Sequence, residues 1–118
     1  MKIGAKVAYS CALSGGCYIQ GMNGIEIGDE TLFAPGVKII SANHSLENLA
    51  CSEKAPPIRI GKRVWIGADA VILPGIEVGD DAVIGAGSIV TKNVPPGAIV
   101  LGNPPGLIKM RHGYCPRL

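Results

Sequence analysis

Isoleucines and valines recur along this chain at an interval that neither an α-helix nor a simple strand explains. Ile60, Ile66, Ile72, Val78, Ile84 and Val90 lie six apart, and Gly61, Gly67, Gly79 and Gly85 follow four of them. Two residues before each anchor stands another apolar or small residue: Ile58, Val64, Ala70, Ile76, Ala82 and Ser88. Six residues turn an α-helix through roughly 600°, so every sixth residue cannot share one helical face. A single strand would keep them on one side, but only as an unbroken extension of over ~30 residues. Pro74, Asp80-Asp81 and the glycines forbid that. Short strands joined by corners, as in a hexapeptide β-helix, are what remains.

The same rows appear earlier as Ile27, Phe33 and Ile39, preceded by Ile25, Thr31 and Val37. From Ile39 to Ile60 the interval is 21 residues, three sixes plus three, so the frame slips and a segment must bulge out. That segment is about 41–57, polar, closed by Pro56-Pro57, and it carries His44. Val7, Leu13 and Ile19 keep the six-residue step further upstream, with Tyr9, Gly15 and Gly21 at the partner positions. After Val90 the period stops at Val94-Pro95-Pro96-Gly97, and Gly102-Asn103-Pro104-Pro105-Gly106 closes the domain. Leu107 to Arg111 is the one stretch suited to a short terminal helix, within a tail of about 103–118.

At 118 residues the chain has room for one compact domain, 1–118, and no second core. Hydrophobic residues make up 47% and aromatics 4%, so the interior must be aliphatic. Each coil buries its column against the next and presents flat sides. A solenoid this small exposes much surface, which predicts a homo-oligomer, a trimer if the prism symmetry is used. A net charge of +2 argues against a nucleic-acid partner. No apolar run approaches the roughly 18 residues of a membrane span, and Met1-Lys2-Ile3-Gly4 leads into polar Tyr9-Ser10 without a signal-peptide core. Cys11, Cys17, Cys51 and Cys115 form no CxxC pair, and reduced thiols in the cytoplasm are expected.

Motif order is more specific than composition. Ile25-Glu26-Ile27-Gly28-Asp29, Pro35-Gly36-Val37-Lys38-Ile39, Asn43-His44, Pro57-Ile58-Arg59-Ile60-Gly61, Val64-Trp65-Ile66-Gly67-Ala68, Ile72-Leu73-Pro74-Gly75, Val83-Ile84-Gly85-Ala86-Gly87-Ser88, Val90-Thr91-Lys92 and Gly102-Asn103-Pro104 follow one another. This succession resembles the hexapeptide acyltransferases, in the branch of maltose, galactoside and xenobiotic O-acetyltransferases. The resemblance implies an all-β fold, a left-handed parallel β-helix with an expelled loop. It further implies a homotrimer with active sites between subunits, acetyl-CoA as donor, and a hydroxyl on a sugar or sugar-like molecule as acceptor. Residues before Ile25 depart from the pattern: where sugar-acetylating members carry an Asn and an Asp, the nearest positions here are Ser14 and Gly21.

His44 matches the family's catalytic histidine. A neutral imidazole near pH 7 can take the acceptor hydroxyl's proton and return it to the leaving thiolate. Asn43 or Ser41 are candidates to orient the ring, and Glu47 reads as a solvated carboxylate. Cys51 shares the loop but nothing lowers its pKa, so direct transfer is favoured over an acyl-cysteine. By the same resemblance Ala68 lies beside the thioester and offers its N–H to the developing oxyanion. Trp65 reads as a coil-face packing residue or as a wall of the site. By that resemblance Gly85 and Ala86 are candidates along the pantetheine arm, Thr91 and Lys92 near the adenosine end, and Lys109, with Arg111 beside it, at the 3′-phosphate. Ser14, Asn23 and Phe33 are candidates for the acceptor pocket. Two histidines, with His112 in the tail, do not suffice for the three-His zinc site of related hydratases, so no metal is expected. A rival of another class is a non-catalytic β-helix module retained for assembly or binding.

Overall fold

A computed structural model describes residues 2–4, 16–103, 105–111 and 113. The expected first coil (Val7, Leu13), Ser14, Cys11, Cys115 and His112 lie outside the described residues. The strands run β1 (Lys2–Ile3), β2 (Tyr18–Gln20), β3 (Ile25–Ile27), β4 (Leu32–Phe33), β5 (Lys38–Ile40), β6 (Ile58–Ile60), β7 (Trp65–Ile66), β8 (Val71–Ile72), β9 (Glu77–Val78), β10 (Val83–Ile84), β11 (Ile89–Val90), β12 (Ala98–Gly102) and β13 (Pro105–Met110). They form three sheets. Sheet I is β1-β3-β6-β9, sheet II is β13-β12-β10-β7-β4, and sheet III is β11-β8-β5-β2. From β3 to β11 the chain visits I, II and III in turn, pairing parallel between successive coils, which is the left-handed parallel β-helix.

Register partners Ile60 and Val78, Ile66 and Ile84, and Ile72 and Val90 lie 18 residues apart, three sixes per coil. All six anchors are buried, and so are the small or apolar residues two positions before them. The inner rows stack Ile27 on Ile60 on Val78, Phe33 on Ile66 on Ile84, and Ile39 on Ile72 on Val90. Each buried Ile or Val stabilises the coil by about 1.5–3 kcal/mol, and the aliphatic rows supply what few aromatics could not. Buried hydroxyls are bonded: Thr31 Oγ1 donates to the Gly61 carbonyl at 2.8 Å and accepts from the Val64 N–H at 3.2 Å.

Corners repeat as strictly as strands. Glu30, Arg63 and Asp81, with φ of 62°, 55° and 61°, occupy the same left-handed position between sheets I and II in successive coils. Coils also approach so closely that Gly67 admits no side chain: a Cβ there would lie 2.6 Å from the Ala86 nitrogen.

Across the mid-chain segment, Ile27 pairs with Ile60, Phe33 with Ile66 and Ile39 with Ile72, each 33 residues apart where 18 is the rule. Fifteen residues are therefore extruded between β5 and β6, as the frame slip predicts. The C-terminal expectation needs correcting. Leu107 to Arg111 does not form a helix; the chain turns after Gly102 and returns as β13, antiparallel to β12. No helix among the described residues is long and apolar enough to cross a membrane.

Candidate active site

The extruded loop is an ordered hairpin. The Glu53 N–H donates to the Asn43 carbonyl at 2.7 Å and the Ser45 N–H to the Cys51 carbonyl at 2.8 Å, placing His44 opposite Ser52 as an antiparallel bridge. At the tip, Asn48 Oδ1 accepts the Ala50 N–H at 3.1 Å, a local turn of the kind asparagine favours. His44 is exposed, and its imidazole bonds no described residue. Glu47 is exposed too, as a solvated loop carboxylate should be. Asn48 Nδ2 donates to Cys51 Sγ at 3.5 Å.

Ser41 does not orient the His44 ring. It is buried; its hydroxyl accepts the Asn23 N–H at 2.9 Å and donates to Gln20 Oε1 at 3.2 Å. Asn23, expected in the acceptor pocket, spends its side-chain N–H groups on the carbonyls of Ser41 (2.8 Å) and Glu53 (3.0 Å). Phe33 is also corrected. It is only 2% exposed, in the inner row with Ile66 and Ile84, and offers no face to a ligand.

Two corners carry the remaining candidates. His44, Thr91 and Lys92 sit where sheet III hands over to sheet I, and Thr91 and Lys92 are exposed. Ala68, Gly85 and Ala86 sit where sheet II hands over to sheet III. The Gly87 N–H donates to the Ala68 carbonyl at 2.8 Å, while the Ala68 N–H has no partner among the described residues. Ala86 is exposed, and a Cβ on Gly87 would meet nothing within 4 Å, so this corner is lined by small groups and open. Trp65 is 57% exposed on the outer face of sheet II, and Lys109 stands exposed on β13, level with Ile99. Beside Trp65 a 430 Å³ cavity is lined by Leu32, Arg63, Asp81, Val83 and Arg111 among others. One full side of the coil, sheet III, separates the imidazole's corner from that of Ala68 within a chain.

Sequence reasoning missed Gln20 and the true role of Ser41. Gln20 reaches Ser41 and Ala42 across 21 and 22 residues, separations that no local spacing marks.

Comparison with known proteins adds the chemistry. A family profile described as the hexapeptide repeat of succinyl-transferase matches residues 57–92. The galactoside O-acetyltransferase of Escherichia coli K12 is 42% identical over 88 residues, covering 72% of this chain and 43% of that protein. A maltose O-acetyltransferase structure from Clostridium difficile 630 superposes with a TM-score of 0.74 at 35% identity, covering 93% of this chain and 58% of that one. A hexapeptide-repeat acetyltransferase of Vibrio cholerae O1 biovar eltor, solved with acetyl coenzyme A, superposes with a TM-score of 0.78 at 28% identity, covering 92% and 58%. The chain thus spans less than half of its galactoside relative and somewhat over half of these two structures.

Proposed function

Because the chain belongs to the hexapeptide-repeat acyltransferases, we propose that it is an acetyl-CoA-dependent O-acetyltransferase acting on a sugar or sugar-like alcohol. The observation that carries this reading is the hairpin itself: fifteen extra residues, hydrogen-bonded at both limbs, present an exposed His44 on a fold whose relative holds acetyl coenzyme A.

His44 acts as general base. Its neutral imidazole takes the proton of the acceptor hydroxyl, and the oxygen forms a bond to the thioester carbonyl carbon. The Ala68 N–H donates to the oxyanion that develops there. When the C–S bond breaks, the imidazolium returns the proton to the departing thiolate, leaving ester and CoA. The open, small-residue corner at Ala68, Ala86 and Gly87 fits a pantetheine arm, because no side chain fills that space. Thr91, Lys92 and Lys109 serve the adenosine and phosphate end.

His44 and Ala68 stand at different corners of one coil, so the working site pairs one protomer's imidazole with its neighbour's corner, in a homotrimer. Outward Leu32, Trp65 and Val83 are in register and supply an apolar contact face. Cys17 and Cys51 are unpaired, which fits a cytoplasmic setting.

The test is release of CoA thiol from acetyl-CoA across a panel of sugars, nucleotide sugars and hydroxylated antibiotics. Acceptor-dependent release that falls about 10²–10⁴-fold in His44→Ala, with assembly and melting unchanged, is expected. Full activity in that variant would overturn the reading, and CoA binding without turnover on any acceptor would make the chain a binding module. Ala68 permits a sharper probe. Pro35 holds the equivalent corner position one coil earlier, since Phe33 pairs with Ile66, so Ala68→Pro fits the backbone while deleting the N–H. Its turnover should fall about 10²–10³-fold with unchanged thermal stability.

A further inference from the structure

We propose that Gln20 and Asn23 are positioning residues for His44, acting as a two-amide clamp on the stem of its hairpin. The inference rests on the general-base reading of His44 but stands on hydrogen bonds within the chain.

The last backbone rung between β2 and β5 is the Ser41 N–H donating to the Gln20 carbonyl at 3.0 Å. Beyond it the chain leaves sheet III, and a free backbone would scatter in direction. There the Gln20 side chain takes over the ladder. Its Oε1 accepts the Ala42 N–H at 3.0 Å, and its Nε2 donates to the Ala42 carbonyl at 3.2 Å. A primary amide has the donor and acceptor of a peptide group, so it pairs both backbone groups of Ala42 as a neighbouring strand would. Sheet pairing is thereby extended to within two residues of His44.

Asn23 secures the other side. Its Nδ2 carries two N–H donors, one spent on the outgoing limb at Ser41 O and one on the returning limb at Glu53 O. One side chain thus ties together the two ends of the hairpin. No side-chain N–H of Asn23 is left to bind an acceptor, so it works on the reaction through His44. Both residues come from the turn of the preceding coil, Gln20 to Asn23, and both are only partly buried. They contribute to the direction of the hairpin and not to the aliphatic core. The consequence for catalysis is leverage: a misplacement of about 1 Å at the imidazole can cost about 10²-fold in rate.

The test compares Asn23→Asp and Gln20→Glu with the parent. Each keeps the shape of the side chain but replaces its N–H donors with carboxylate oxygen, in Asn23→Asp facing two carbonyls. Hydrogen exchange at the Ser45 and Glu53 amides, both donors in the hairpin, should quicken at least about tenfold, the scale of one lost hydrogen bond. Amides of the coil stack, such as Gly61 and Gly79, should not change. The chain has two histidines, so the Cε1–H signal of His44 is assignable by comparison with His44→Ala, and it should move toward its free-loop position. The kcat should fall about 10²-fold while the KM for acetyl-CoA stays within about twofold. Unchanged exchange and an unchanged His44 signal in both variants overturn the clamp, whatever the activity. A raised acceptor KM with kcat intact also overturns it, making Asn23 an acceptor contact. If the signal and exchange move while the parent turns over no acceptor, the clamp stands and the acetyltransferase reading fails.

Discussion

The outer faces of sheets I and II are built on the same coils, each strand turning an aliphatic residue inward, yet they meet their surroundings in opposite ways. On sheet I the outward positions Lys2, Glu26, Arg59 and Glu77 lie in register and alternate in sign. Arg59 Nε lies 2.8 Å from Glu26, and longer contacts of 3.6 and 3.7 Å join Lys2 to Glu26 and Arg59 to Glu77. These exposed pairs stabilise little, but they keep the face wetted. On sheet II the equivalent ladder is Leu32, Trp65, Val83 and Ile99. Leu32 and Trp65 are more than half exposed in the single chain, a continuous apolar stripe of the kind that marks a contact surface. The period of six sets the interior; the outward residue of each strand decides between water and protein.

Leu32 and Phe33 bring that contrast onto one strand, β4, with Leu32 outward and Phe33 inward. Leu32→Asp should have the largest effect, reducing the sedimenting species from the proposed trimer to monomer. Turnover should fall with it at least about 10²-fold if the proposed site between protomers is the working one. A trimer with full activity would show that sheet II is not a contact face. Phe33→Ala should leave assembly alone and lower the unfolding free energy by about 3–5 kcal/mol in urea titrations. Its acceptor KM should not change, because the ring faces the core. The smallest effect belongs to sheet I. Hydrogen bonding to Arg59 first, then the charges of Arg59 and Lys2, hold the Glu26 carboxyl below its ordinary 4.5. A lowered pKa means the unfolded chain binds the proton more readily, so this contribution is present above 4.5 and lost as pH falls through the lowered value. Glu26→Gln should therefore melt slightly below the parent near neutral pH, and the gap should close well below 4.5 or in high salt.

The interior was legible because one residue type at one interval can satisfy only one geometry. Ile60 through Val90 named the inner rows, and the 21-residue interval from Ile39 announced a loop before any contact was known. Phe33 falls under the same rule: it keeps the six-residue step from Ile27 to Ile39, so the period itself excluded it from a ligand pocket. Leu107 to Met110 was ambiguous for a physical reason. A short apolar run has no period of its own, and pairing with β12, settled by the turn after Gly102, made it a strand. The clamp on the hairpin lay beyond reach because its bonds join residues 18 to 30 apart through amides whose partners are backbone carbonyls. No spacing rule marks such a carbonyl.

Strand β13 has a bearing on what the molecule does not become. Parallel coils of one repeat could template further copies, and the open edge of the last coil invites end-to-end polymerisation. Along sheet II that edge is taken by a strand of reversed direction, begun by Pro105, which lacks an N–H, and carrying Lys109. A register shift between Ile99 and Val100 further unsettles the ladder beneath it. On that edge an antiparallel rung already stands where another parallel coil would have to pair.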